Sequence, residues 1–482
     1  MKTKKNISVI VCVCLFLSSC SQDFIDLIPT STVTVDLVYK TDKDFFDALT
    51  ATYTPIRSVY GNYYVFGDIR GDDSWQEIYK NNSQSYSDLF TLNSNDGLMN
   101  SSWMNYYLAI FRVNTLLERI ENFDTESVPN KNRYIGEARF NRALSYFDLV
   151  RIFGAVPAAT KPLNVEEAYR TPREPVANLY NNIIIPDLQA AESSLYASYS
   201  GSDVGRPTIG AAKALLGRVY LTIGDFQKAE SKLMEVTSMG YDLVEDYNDL
   251  FDYSNKRHSE YIYNIEYEQG VNGGSSFSVA FIPNSMAMMS FLGLPGNGGE
   301  NNNPTPELIA LFEDHDQRKY ITVGTPGGWY DATNTFIELP GNTNQTYTMK
   351  YYTPTPVSGD SRADWKVVRY ADVLLMLAEA MNENGKTTEA IPYLNRIRKR
   401  AGVSEYPPSM TQSETRDAIA KERRLELAFE GHRWFDLVRT GKAYETMKDK
   451  GMTEYMTVFP IPLRQIELIN DPTILPQNPG YN

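Results

Sequence analysis

A chain of 482 residues with 42% hydrophobic and 12% aromatic residues has material for a large buried core, which excludes small disulfide scaffolds, coiled coils and disorder. Its 60 acidic and 46 basic residues leave a formal charge of −14, which repels phosphate backbones and argues against nucleic acid as a partner.

All three cysteines, Cys12, Cys14 and Cys20, fall within the first twenty residues. Lys2, Lys4 and Lys5 precede an uncharged, mostly apolar run from Ile7 to Leu17, and Ser18-Ser19-Cys20 follows. That order reads as a secretory signal peptide over residues 1–19. The apolar run is too short to span a bilayer, which takes about 20 residues. Leu17-Ser-Ser-Cys20 resembles the lipobox of bacterial lipoproteins, which implies cleavage before Cys20 and acylation there. One acyl chain holds marginally, at about 0.8 kcal/mol per buried CH₂, whereas two or three anchor stably. Loss of residues 1–19 removes three lysines and no acid, so the charge becomes −17 and lipid, not surface charge, is what holds the protein to a membrane.

Residues 20–36 are rich in Ser, Thr and Asp and read as a tether; a helical body is expected over 37–482. Helical periodicity starts near Lys43. Trp103, Tyr107, Ile110, Asn114 and Leu117 share one helical face, and Ala138, Ala143, Leu144, Phe147 and Val150 line another, which predicts two packed helices. Residues 211–236 echo residues 372–397 at an offset of 161. Leu216 meets Leu377, Gly224 meets Gly385, Ala229 meets Ala390 and Leu233 meets Leu394. A leucine-rich helix ending at glycine, then a second helix opening with a small residue, gives the mechanics of a tetratricopeptide-type pair. Between the copies, residues 240–365 are crowded with Pro, Gly, Asn and Tyr and read as a loop-rich insert, with minor strands at 261–267 and 347–352. Helix returns from Arg416 to Gly441. Five prolines between 460 and 479 then predict an extended tail wrapping the body.

A set of motifs in this order resembles the SusD/RagB lipoproteins of Bacteroidetes outer membranes. It comprises Glu137-Ala-Arg-Phe-Asn-Arg-Ala143, Phe153-Gly-Ala-Val-Pro157, Arg206-Pro-Thr208, Arg369-Tyr-Ala-Asp-Val-Leu-Leu375 and Asn395-Arg-Ile-Arg398. Its most specific part is Glu422-Arg-Arg-Leu-Glu-Leu-Ala-Phe-Glu-Gly-His-Arg-Trp-Phe-Asp-Leu437, followed by Phe459-Pro-Ile-Pro462 and Gln477-Asn-Pro-Gly-Tyr481. The resemblance covers nearly the whole mature chain. It implies a mostly α-helical body of tetratricopeptide-like pairs, anchored by Cys20, that passes oligosaccharide to a TonB-dependent (SusC-like) outer-membrane transporter. A RagB-like, peptide-capturing role is the alternative within the family. The shared motifs are structural, so no ligand-contacting residue carries over.

A saccharide surface site needs flat rings for C–H faces and amide, carboxylate or guanidinium groups for hydroxyls. Two clusters supply them. In Asp68-Ile-Arg-Gly-Asp-Asp-Ser-Trp75, Trp75 is the stacking ring and Arg70 and Asp73 (or Asp72) the orienting groups, with Tyr79 nearby; a core tryptophan beside a solvated turn fits the same pattern. In Pro326-Gly-Gly-Trp-Tyr330, glycines present Trp329 and Tyr330 on a turn, and ligand contact is preferred over transporter contact or ordinary packing. Trp103, Trp365 and Trp434 fall in helical or near-helical periodic context and read as core or helix-packing residues. The mixed charges from Lys421 to Arg433 read as salt-bridged helix packing.

Enzyme readings find little support. A glycosidase needs two carboxylates about 5–9.5 Å apart; Asp72-Asp73 could contribute one of them, but adjacent acids in a loop are common. His258, His315 and His432 make no zinc spacing, Gly296-Asn-Gly-Gly299 falls short of a dinucleotide fingerprint, and Asp314/Asp316 lack a calcium-loop pattern and read as a solvated helix end. No cofactor and no metal are expected.

Overall fold

The structure is a computed structural model and describes residues 39–76, 81–270, 273–331, 335–341 and 345–481. The signal peptide, Cys20, the tether and Tyr79 lie outside the described residues.

Helix α1 (Asp42–Tyr60) opens on a capping box in which Thr41 and Asp44 satisfy each other's backbone N–H groups. The two-residue strand β1 (Ser74–Trp75) follows. Then come the long helices α2 (Gly97–Ile120), started by the Asp96 carboxylate, and α3 (Lys131–Phe153), and the short α4 (Val165–Arg170). Trp103, Ile110 and Asn114 are buried on the side of α2 that sequence periodicity selects. Helix α5 (Ile185–Ser194) leads into the first echoed pair, α6 (Ile209–Thr222) and α7 (Phe226–Thr237). Within the loop-rich stretch lie β2 (Tyr261–Ile265), α8 (Met286–Phe291), β3 (Asn303–Pro304), β4 (Gly328–Tyr330) and β5 (Phe336–Glu338). Strand β6 (Trp365–Arg369) leads into the second echoed pair, α9 (Tyr370–Glu383) and α10 (Thr387–Arg400). Helices α11 (Gln412–Glu426), α12 (Arg433–Arg439) and α13 (Leu463–Ile469) finish the chain.

Neighbouring helices stack in the series α1, α2, α3, α5, α6, α7, α9, with α10 and α11 both packed on α9. One continuous core results, as helical pairs that cannot bury their apolar faces alone require. In both echoed pairs the expected glycine takes the left-handed conformation that ends the first helix, Gly224 at φ +77° and Gly385 at φ +78°. Ala229 and Ala390 are fully buried where the partner helix comes close. Trp103, Trp365 and Trp434 are core residues.

The sheets are two-stranded and antiparallel. Strand β1 pairs with β3, β2 with β6 through a bulge, and β4 with β5. Three sequence expectations need correction. Residues 347–352 do not form a strand: Tyr347 makes an isolated bridge to Gly324, after which the Met349 N–H bonds Ile321 and the Tyr352 N–H turns back to Met349, so no ladder continues. The helix expected over 416–441 breaks between α11 and α12, where Phe429 and Gly431 take positive φ. Asp316 is buried in an ion pair with Arg318 at 2.7 Å, not solvated at a helix end. The proline-rich tail is tied to the body through Asn478, whose Nδ2 donates to the Phe153 and Phe459 carbonyls.

Candidate functional site

The segment 68–75 threads between the C-terminal turn and the insert, and its backbone path depends on close packing. Gly67 lies against the backbone of Gly431, where a Cβ on Gly67 would collide with the Gly431 carbonyl. Asp68 is buried, accepts the Gly431 N–H at 2.8 Å and faces the Asn302 amide at 3.3 Å. Burial pushes its carboxyl up to about 8.

Arg70 and Asp73 are corrections to the expected site. Arg70 is 1% exposed, with its guanidinium 4.2 Å from the centre of the Phe459 ring, 4.7 Å from Phe90 and 5.1 Å from Trp434. It donates to the Met456 carbonyl and the Tyr481 hydroxyl. Asp73 is 3% exposed and accepts from Arg424 Nε at 2.8 Å, while Asp72 takes a forked pair of bonds from Arg433. Burial pushes Asp73 up; burial also opposes the charge on Asp72, but the Arg433 and Arg424 guanidiniums hold that carboxyl below its usual range. These charges join distant parts of the chain, with partners some 350 residues away that local spacing does not show.

Trp75 is half-buried. It pairs with Asn303 across β1 and β3, and its indole N–H donates to the Pro304 carbonyl at 3.2 Å, with Thr346 Oγ1 at 3.4 Å. From there the backbone leads to the second cluster. Thr346 precedes Tyr347, which exchanges two hydrogen bonds with Gly324; Thr325 in turn exchanges two with Gly328, the first residue of β4. A relay of backbone hydrogen bonds thus links the Trp75 strand to the strand that carries Trp329 and Tyr330.

The β4–β5 hairpin pairs Gly328 with Glu338, Trp329 with Ile337, and Tyr330 with Phe336. Successive strand residues point to opposite faces. Trp329 turns inward and packs against the small cluster that includes Ile282, Met289, Leu339, Tyr347 and Met349, keeping part of its ring accessible. Tyr330 turns outward, 42% exposed, with Phe336 at 43% and the ring centroids 5.1 Å apart at 60°. Gly327 has φ +86°, and a Cβ on Gly328 would collide with the Ile337 carbonyl, so the turn requires glycine at both places.

Phe336 was missed from sequence, as were the exposed Met286 (80%) and Phe291 (57%) of α8, which packs into the same cluster. A usable signal existed for Phe336: Trp329-Tyr330 and Phe336-Ile337 flank a polar Asp-Ala-Thr-Asn-Thr turn, the pattern of a hairpin.

A buried charge network ties the insert and β6 to α11 and to the turn that follows it. Arg369 donates to Glu430 at 2.7 Å, Glu260 at 2.7 Å and Glu426 at 2.5 Å. Lys350 bonds Glu430 at 2.9 Å, and Arg318 bonds Glu422 at 2.7 Å. All these side chains are at most 2% exposed. Burial opposes the charge on Glu430, yet Arg369 and Lys350 hold it down to about 2; burial depresses Lys350 to about 8. No group of three or more metal-ligating side chains occurs among the described residues.

A stacked-helix scaffold carrying an aromatic, loop-borne surface is the class of protein these observations define. Two family models match it: one described as "SusD family" over residues 244–481 and one described as "Starch-binding associating with outer membrane" over residues 23–221. The chain is 28% identical to SusD-like protein P38 of Formosa agariphila, with 100% of both chains covered. It is 25% identical to the starch-binding protein SusD of Bacteroides thetaiotaomicron, over 85% of this chain and 82% of that one. Among solved structures, a laminarin-binding SusD-like protein superposes with a TM-score of 0.79 at 30% identity, covering 92% of this chain and 100% of the other. The chain belongs to the SusD family, a family of outer-membrane-associated binding proteins. No helix among the described residues is long and apolar enough to cross a membrane.

Proposed function

We propose that this protein is a cell-surface lipoprotein, anchored through Cys20, that captures a neutral oligosaccharide on the Trp75–hairpin surface and hands it unaltered to a TonB-dependent transporter. The observation that carries the reading is the β4–β5 hairpin. Its tip holds two large rings more than 40% exposed, a placement that costs free energy in water unless a ligand covers them. Flat rings beside backbone and hydroxyl groups suit the C–H faces and hydroxyls of a sugar. Trp75, Tyr330 and Phe336 supply the rings, with Trp329 backing the hairpin from its packed face; Thr346 and Asn303 lie beside Trp75 as polar neighbours. The similarity to a laminarin-binding protein makes laminarin the first glycan to test.

The test uses protein starting at residue 21, titrated with laminarihexaose, other neutral oligosaccharides and a peptide mixture. Tyr330→Ala with Phe336→Ala is expected to weaken oligosaccharide binding about tenfold or more and leave the melting temperature within a few degrees. A fully covered tyrosine buries about 150–250 Å², and the exposed fraction leaves roughly 60–100 Å², or about 1.5–2.5 kcal/mol. Peptide retention without any glycan retention would replace this reading by peptide capture, and released reducing ends would replace it by a glycosidase.

A further inference from the structure

A separate groove runs along the flank of the scaffold, built from α2, α4 and α13 and from none of the insert. Its volume is about 620 Å³, inside the usual range of small-molecule sites. Tyr107 and Tyr169 supply the rings that line it, and the buried Trp103, 5% exposed, backs its floor. Trp103 and Tyr107 pack with centroids 5.1 Å apart at 39°, and the Tyr107 hydroxyl is fixed on the Pro157 carbonyl at 2.7 Å, which locks that ring in place. Tyr169 is 44% exposed. Met104 and Leu108, one helical turn apart on α2, are 51% and 41% exposed at the groove.

The polar part of the lining decides among occupants. It consists of amides and hydroxyls: Asn100, Asn105, Gln465, Ser101 and Thr171. Gln465 donates to Asn100 Oδ1 at 2.9 Å, and Asn105 donates to the Ser101 carbonyl at 2.9 Å. Each amide has more donors and acceptors than these bonds use. In a chain with 22% charged residues, no residue lining this groove is charged. A peptide, a phosphate or an acidic glycan therefore finds no ion partner here. Pre-set rings, free amide capacity and zero charge match an uncharged polyhydroxylated chain.

We propose that this groove is a second saccharide-binding site, for a short segment of a neutral glycan. The inference is independent of the hairpin surface, since the two share no residue. Two weak sites on one rigid body change what the protein retains. A polymer long enough to reach both converts the second contact into an intramolecular one, with an effective concentration in the millimolar range, so long chains are held far more tightly than hexasaccharides.

The test uses protein starting at residue 21 in native gels containing laminarin, amylopectin, galactomannan or xylan, with light scattering for oligomeric state and thermal melts for folding. Tyr169→Ala and Leu108→Asp alter exposed side chains, and the doubly substituted Tyr330→Ala/Phe336→Ala protein isolates the groove. In that background at least one polysaccharide is expected to be retained, and adding Tyr169→Ala is expected to abolish the retention. In the otherwise native protein, Tyr169→Ala is expected to lower affinity for that polysaccharide at least fivefold. Retention unchanged by both groove substitutions on every polysaccharide overturns the proposal. So does a dimer that Leu108→Asp splits with retention intact, since the groove's occupant is then a second copy. If only the groove substitutions matter, the hairpin assignment fails and this one stands; if the native protein retains none of the four, both fail.

Discussion

Lowering the pH from 7 to 3 is expected to unfold this protein from its interior, and Glu430 sets the scale. Its carboxyl is held at about 2 in the folded chain against an ordinary 4.5, because Arg369 and Lys350 face it in a fully buried site. A depressed carboxylate stabilises the fold above its unfolded value and loses that contribution as pH falls through 4.5 towards 2. The full difference of about 2.5 units corresponds to roughly 3 kcal/mol at 1.36 kcal/mol per unit, of which about 2 kcal/mol is lost by pH 3, a large share of a typical domain's 5–15 kcal/mol. Glu426, Asp372 and Asp436, each held well below the carboxylate range by arginines despite burial, act in the same direction. Urea unfolding followed by tryptophan fluorescence at pH 7, 5 and 3 is expected to show little loss down to pH 5 and a steep fall below it. Glu430→Gln leaves Arg369 and Lys350 short of a counter-charge and is expected to cost about 3–5 kcal/mol at pH 7, with a shallower acid slope. A midpoint that stays constant from pH 7 to pH 3, or a Glu430→Gln protein as stable as the original, would refute the idea that this network holds the insert to α11.

Three further outcomes follow from the geometry. Arg70→Met is expected to leave glycan affinity unchanged, because the guanidinium is enclosed by Phe90, Trp434 and Phe459; Arg70→Ala is expected to lower the melting temperature through the cavity it leaves, and a selective loss of binding by Arg70→Met would return Arg70 to the surface site. Gly328→Ala forces a Cβ against the Ile337 carbonyl, so the hairpin splays and calorimetry is expected to show oligosaccharide affinity falling as far as in Tyr330→Ala/Phe336→Ala; native affinity would mean that the hairpin is not a platform. Asp68→Asn is expected to become progressively more stabilising as pH rises towards 8, by about 1.4 kcal/mol per unit. The raised carboxyl stays protonated in the fold while the unfolded chain ionises, and an amide at that position carries no such penalty. Melting curves of both proteins from pH 5 to pH 8 check this, and a constant difference would count against it.

Much of the scaffold was legible because helical periodicity is local. The α6–α7 and α9–α10 pairs and their terminal glycines follow from spacing alone, as does the burial of Trp103 and Trp434. The site was legible only where exposure follows from nearby residues. Glycine flanks pointed to the Trp329-Tyr330 turn, and strand alternation then separates a packed Trp329 from an outward Tyr330. Arg70 and Asp73 were misread because their surroundings come from the far end of the chain: Arg424, Arg433, Phe459 and Tyr481 are invisible to any window around residue 70. The flank groove was missed for a related reason. Trp103 and Tyr107 of α2 belong to the core-facing periodicity, and nothing in that periodicity shows that the adjacent Met104 and Leu108 stay uncovered.

The contact between Gly67 and Gly431 joins points 364 residues apart with no side chain between them. A methyl group on Gly67 would strike the Gly431 carbonyl just upstream of Trp75, and one on Gly431, already at positive φ, would press on the rings of Trp365 and Tyr63. The entry of the chain into the Trp75 strand is thereby set by main chain resting on main chain, a registration that owes nothing to the loop residues beyond it.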